Sequence, residues 1–251
     1  MSRSCWVLDD VNARLDSQQL SADVNLALMC PSMTHVAYRG QPLGGASLLG
    51  VALEGATSER DAPKLDDAYV RGADLVATWP AAGASGLRVQ LYWRRIATIE
   101  APDVAVVELQ VSVNTPLWNT DAQQTATSLV PGTEVLRMTD RDGLRFESMS
   151  LGSANAELDT SGVPTACILF RPHDGDFSYA EMVHPNALSK TFVMHRGSGV
   201  ALEHRLFVSS LEKGVILRAR VRGALVPRET DQRDAASIYA QFATSEPPLT
   251  A

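Results

Sequence analysis

The chain has little of what usually announces a reaction. Its 251 residues include 3 cysteines, Cys5, Cys30 and Cys167, odd in number and far apart. No Cys-x-x-Cys pair or Cys/His cluster accompanies them, which argues for reduced thiols, with Cys167 in a strand core. No apolar run approaches the roughly 18 residues of a helical membrane span. The first ten residues lack the apolar segment of a secretory leader, so a cytoplasmic location is the default expectation. A basic excess is also missing: the formal net charge is −7, which argues against a nucleic-acid partner. Gly44-Gly45 is not followed by the Lys-Ser/Thr of a phosphate loop, and there is no G-x-S-x-G elbow for a serine nucleophile. His173, Asp174 and Asp176 could offer oxygen and nitrogen ligands, but their spacing matches neither an EF-hand nor a zinc site. No metal and no cofactor is therefore expected.

Lysine is scarce as well, with 3 against 19 arginines. That imbalance is either a coding bias or a selection for the planar, bidentate guanidinium that recognises carboxylates and sulfates. The hydrophobic fraction of 45% is ordinary for a globular protein, and no composition shift marks a linker. One domain over residues 1–251 is expected.

What is present in abundance is strand pattern. Candidate strands fall at 26–29, 35–39, 47–54, 68–79, 87–99, 104–114, 134–139, 144–150, 166–171, 178–184, 191–196, 200–209 and 214–226, separated by Gly, Pro and Asp turns. Asp142-Gly143 is a hairpin signal. Residues 200–226 read as two long strands joined at Glu212-Lys213-Gly214. Helical spacing is rare. It is clearest over 231–244, where Ala235, Ile238, Tyr239 and Phe242 repeat on one face, with Thr230 or Asp231 as N-cap and Pro247-Pro248 as a stop. A short helical piece fits in 10–25, and 114–131 reads as a long loop. The fold class that follows is all-β: a large antiparallel sandwich of two sheets with a short C-terminal helix.

Side chains alternate sides along a strand. Leu87, Val89, Leu91 and Trp93 therefore share one face, and Arg88, Gln90, Tyr92 and Arg94 the other. Val107, Leu109 and Val111 oppose Glu108, Gln110 and Ser112. Val215, Leu217, Ala219 and Val221 oppose Arg218, Arg220 and Arg222. This polar, arginine-rich face is either a binding surface or a solvated outer face. His204 lies among Leu202, Leu206 and Val208, a setting that suits a satisfied core histidine. Tyr179 and Glu181 share a face that His184 does not.

Strand number and size, the segment Phe177-Ser178-Tyr179-Ala180-Glu181-Met182-Val183-His184-Pro185, and the stretches 202–207 and 213–218 resemble the β-supersandwich of the galactose mutarotase-like superfamily. That group includes aldose epimerases and the sandwich domains of many glycoside hydrolases and polysaccharide lyases. The resemblance implies a sugar ligand on a polar sheet face. Arg88, Arg94, Arg218 and Arg220 would contact hydroxyls or an acidic group, and Tyr92 would stack on the ring. Trp118 would cover the cleft, and Glu108, His173 or His184 would supply acid–base chemistry. The arginines favour an anionic sugar. In that reading Arg220→Ala weakens ligand binding and leaves stability nearly unchanged. The alternative is a non-catalytic interaction module whose arginines pair with carboxylates of a neighbouring sheet or subunit.

Overall fold

The structure, a computed structural model, describes residues 5–53, 64–97, 101–139, 145–151, 156–158, 167–207 and 209–246. The chain opens with β1 (Trp6–Asp9), β2 (Asn12–Asp16), β3 (Leu20–Asn25), β4 (Met33–Tyr38), β5 (Gln41–Pro42) and β6 (Ser47–Val51). Next come β7 (Asp67–Arg71), β8 (Asp74–Ala82), β9 (Leu87–Ile96), β10 (Ala105–Asn114), β11 (Asn119–Asp121), β12 (Gln124–Pro131), β13 (Thr133–Met138) and β14 (Phe146–Ser148). The last are β15 (Ala156–Leu158), β16 (Cys167–Pro172), β17 (Phe177–Val183), β18 (Leu188–Arg196), β19 (Gly199–Leu206), β20 (Ser210–Glu212) and β21 (Leu217–Pro227), followed by helix α1 (Asp231–Thr244).

These strands form two large antiparallel sheets. A ten-stranded sheet runs β1-β2-β3-β4-β6-β12-β19-β18-β15, with β5 beside β4, and a nine-stranded sheet runs β14-β13-β16-β17-β21-β10-β9-β8-β7. The inner faces meet in one core, where Leu15, Leu49, Leu75, Leu91, Trp79, Trp93, Phe170 and Phe177 are fully buried. The alternation read from the sequence sets this packing. In the nine-stranded sheet Trp93 stands opposite Leu109, and Leu109 opposite Val221, so the apolar sets of β9, β10 and β21 share the inner face.

Four elements differ from the sequence expectation. Residues 26–29, read as a strand, are the turn that links β3 to β4. Residues 10–25 hold no helix: β2 and β3 bury Ala13, Leu15, Leu20, Ala22 and Val24, an alternating set that suits a two-residue period. The expected loop 114–131 contains β11 and β12, and β12 buries every second residue from Gln124 to Val130. The expected hairpin over 200–226 does not form. β19 pairs with β12 and β18 in the ten-stranded sheet, whereas β21 pairs with β10 and β17 in the other. Phe207 adopts a positive φ of 61°, and β20 pairs with β11 in a small ribbon of its own. The chain thus changes sheets where a tight turn was read. The helix falls on 231–244 as read, with Thr230 at its N-cap. The Asp142-Gly143 turn and the Pro247-Pro248 stop lie outside the described residues.

Candidate functional site

Pairing register places four charges in a row across the outer face of the nine-stranded sheet. Asp74 of β8 stands opposite Arg94 of β9, Arg94 opposite Glu108 of β10, and Glu108 opposite Arg222 of β21. The side chains close this ladder themselves. Arg94 donates two bonds of 2.7 Å to the two oxygens of Asp74, and Arg222 donates to Glu108 at 2.6 Å. Asp74, Glu108 and Arg222 are all buried. The Asp74 carboxylate raises the pKa of Arg94 through this fork. The next row is Val76, Tyr92, Gln110 and Arg220; the one beyond is Thr78, Gln90, Ser112 and Arg218. Tyr92 donates to Gln90 Oε1 at 2.5 Å, and Gln90 donates to Thr78 at 3.0 Å. Burial, with Tyr69 nearby, pushes the Tyr92 phenol pKa up.

Helix α1 lies against β16, β17 and β21 and is tied down at both ends. At its start Asp231 takes bonds of 2.8 and 3.1 Å from Arg171 and one of 2.7 Å from Ser178. Burial alone would raise the Asp231 pKa, but these donors hold it below the usual carboxylate value. At its end Arg220 donates to the main-chain oxygen of Ser245 at 2.6 Å and to its hydroxyl at 3.0 Å. The guanidiniums of Arg222 and Arg220 lie 4.2 and 5.0 Å from the centre of the Phe242 ring, and His184 meets the same ring edge-on at 5.3 Å. Burial, and then the charge of Arg220, lowers the pKa of His184.

Beside the helix is a cleft of about 950 Å³. Ile96, Val104 and Val106 from the ends of β9 and β10 line one side, and Arg233, Ser237, Ile238 and Gln241 from α1 line the other. Asp103, Glu229 and Asp234 add carboxylates, and Arg222 joins the cleft to the charge ladder. Asp234 receives a bond of 2.5 Å from Thr230 and two of 3.1 Å from Arg233, and Asp103 pairs with Arg39 at 3.1 Å.

The residues singled out from the sequence are dispersed over this framework. Arg94, Tyr92, Glu108 and Arg220 do lie on one face, as read, but each is engaged by its own sheet or helix. Arg88 pairs with Asp66 at 2.8 Å, and Arg218 is exposed on the same face. His173 is exposed before β17 and His184 is buried after it. The seven residues of β17 hold these histidines roughly 20 Å apart. Trp118 is 85% exposed beside β11. The cleft residues were not read from the sequence. Ile238 belonged to the expected apolar stripe of the helix, and its partial exposure is the one sign that this stripe borders an opening.

A second polar group lies between the sheets. Glu181 Oε2 accepts bonds from Tyr179 and Ser128, while Oε1 meets His204 Nε2 at 3.0 Å, and Thr191 meets His204 Nδ1 at 2.9 Å. Ser128 also accepts the amide of Leu49 at 2.8 Å, and Trp93 donates to the Leu49 carbonyl at 3.0 Å. There β6 bulges opposite Ser128, with Leu49 at a φ of 51°. Burial, and then Glu181, raises the Tyr179 pKa strongly. Every member of this group is buried, so its chemistry is structural. Among the described residues no cluster of three or more His, Cys, Asp or Glu could hold a metal ion. No helix among them is long and apolar enough to cross a membrane.

No family model and no curated protein matches the chain. Solved structures do. A TPR-domain containing protein from Parabacteroides distasonis is similar over 86% of this chain and 47% of its own, with a TM-score of 0.59 at 8% identity. The α-N-acetylgalactosaminidase NagBb of Bifidobacterium bifidum is similar over 94% of this chain and 38% of its own, with a TM-score of 0.54 at 9% identity. The chain therefore spans less than half the length of either protein. The GalM/aldose epimerase homologue from C. elegans is similar over 84% of this chain and 97% of its own, with a TM-score of 0.54 at 8% identity. The likeness is one of architecture: these structures share with the chain a β-sandwich of two large antiparallel sheets.

Proposed function

We propose that the protein binds a neutral carbohydrate in the cleft between α1 and the outer face of the nine-stranded sheet. The observation that carries this reading is the cleft itself. Its volume of about 950 Å³ suits a small glycan, and it combines an apolar floor with a few fixed polar groups. Val106, Ile96 and Ile238 offer a surface for the C–H face of a pyranose, and Glu229, Gln241 and Ser237 offer partners for its hydroxyls. The sandwich fold supports the ligand class, since a glycosidase and an aldose epimerase homologue share it.

Charge bookkeeping favours a neutral sugar over an acidic one. Arg222 is committed to Glu108, Arg94 to Asp74 and Arg233 to Asp234, while Glu229 keeps a carboxylate at the cleft wall. The same pairing weighs against a module that joins a partner through its arginines, because their carboxylates are already supplied by neighbouring strands. Glu108, His173 and His184, the alternatives for an acid or base, do not line the cleft, so the reading is one of binding.

The test is a thermal-shift titration with neutral hexoses, N-acetylhexosamines and uronic acids. A ligand at 100 times its Kd adds about 2.7 kcal/mol of stability. A neutral sugar is expected to raise the Tm. Ser237→Tyr, on the exposed flank of the helix, should abolish that rise while leaving the Tm of the free protein unchanged. A uronic acid as the sole hit, or a Ser237→Tyr variant that binds as before, would overturn the assignment.

A further inference from the structure

Helix α1 serves two places at once. Ser237, Ile238 and Gln241 line the cleft. Phe242, one turn beyond Ile238, is fully buried against the sheet. Its ring carries the Arg222 guanidinium at 4.2 Å and meets the His184 imidazole edge-on at 5.3 Å. Arg222 lines the cleft and His184 does not. Phe242 therefore joins a cleft residue to a titratable group outside the cleft.

His184 sits where a proton fits badly. Its Nδ1 accepts the Asn186 amide at 3.3 Å, so the neutral ring carries its hydrogen on Nε2. Among the described residues, the other groups that face the ring are Arg220 and Arg222 of β21, Glu108 of β10 and the main chain of Ser245 after α1. Glu108 is shared by both arginines, at 3.7 Å from Arg220 and 2.6 Å from Arg222. Two guanidiniums thus stand against one carboxylate. A proton on Nδ1 adds a third positive charge to this set and leaves two donors, the ring and the Asn186 amide, facing each other. The two sides of the contact are not held alike. The His184 amide is fixed to β21 by its bond of 3.0 Å to the Arg220 carbonyl. The helix end is held to the sheet by side chains, with Arg220 on Ser245 and Arg222 on Phe242.

We infer that His184 is a proton-operated control of the cleft: its protonation drives Phe242 and the end of α1 off β21 and lowers the affinity of the cleft for its ligand. The inference rests on the cleft being the ligand site. The coupling is reciprocal, so a ligand that holds α1 down makes His184 harder to protonate. Affinity is full while His184 is neutral, above the usual histidine value of about 6.5. It falls as the pH drops through the lower value that burial and Arg220 give this ring.

Two readouts on the full chain separate the helix from the ligand. The first is hydrogen exchange at pH ~7.5 and ~5, on either side of the histidine range, corrected for the intrinsic rate. Protection of residues 238–245 is expected to fall in acid at least about tenfold relative to that of β2 and β3, and to stay level in His184→Gln. The second is the Kd, by calorimetry at the same two pH values, of whichever of glucose, galactose and N-acetylgalactosamine gives the largest thermal shift. It should rise at least about fivefold in acid. His184→Gln and Phe242→Leu, which both keep the cleft lining intact, should each bind that sugar with one affinity at the two pH values. Unchanged protection of α1 in the wild-type chain would overturn the inference whatever the ligand does, and so would a sugar Kd that stays level. Loss of protection in acid by a chain that binds none of the three sugars would support the control at the helix and overturn the sugar reading of the cleft.

Discussion

Glu181 faces inward from β17 beside Tyr179 and receives partners from both sheets: Tyr179 in its own, Ser128 and His204 in the other. Because all four are buried, the network is stable only when complete. Removing one partner leaves the rest dry and unpaired, which costs about 1–3 kcal/mol for each buried polar group orphaned. Glu181→Ala should therefore lower the urea-derived unfolding free energy by about that much for each, and adding His204→Ala should cost less than the sum of the two single changes. His184 is perturbed in a different sense. Its folded pKa is lowered by burial and by Arg220, so the unfolded chain takes up a proton first as the pH falls. The stability it contributes is complete above its unfolded value of about 6.5 and declines as the pH drops from there towards the folded value. A plot of Tm against pH should accordingly fall below neutrality, and His184→Gln should flatten that part of the fall. His204 was legible from the sequence as a satisfied core residue. Its partner was not, because alternation places Glu181 on a face without saying which sheet that face meets.

At the scale of elements, helix α1 converts an apparent binding surface into a packed one. Arg220 is only 5% exposed and bonds the chain at the end of the helix. Bonds to a charged donor contribute about 1.5–3 kcal/mol. Arg220→Ala should thus destabilise the protein by about 2 kcal/mol and lower its Tm, with sugar affinity at the cleft changed little. That reverses the expectation drawn from the arginine stripe. The stripe itself was legible, since Arg218, Arg220 and Arg222 do share one face. What alternation lacked was Glu108 opposite Arg222, which depends on pairing between β10 and β21 across more than a hundred residues of sequence. The helix was legible in full because its spacing is local. Its seat on the sheet was not, because Asp231 meets Arg171 only after the sheet is built. Gly223 shows the same long-range dependence: a Cβ there would stand 2.7 Å from the Tyr179 hydroxyl, a closeness no local pattern announces.

Over the whole molecule, two large antiparallel sheets and a terminal helix follow from strand alternation and scarce helical spacing, and the structure has them. The failed hairpin of residues 200–226 marks the limit of that method. Adjacency in sequence favours pairing of neighbours, but β19 and β21 each find better-matched apolar partners in opposite sheets. One outcome is that both sheets are tied together late in the chain, through β20. Another concerns synthesis. β21 is the central link of the nine-stranded sheet, with β17 on one side and β10 on the other. Until residues 217–227 leave the ribosome, that sheet exists as two half-sheets with no hydrogen bond between them, each showing a long unpaired edge. The nascent protein then has to keep the edge of β10, complete at residue 114, and that of β17, complete at residue 183, apart from other chains until β21 is made and fills the place between them.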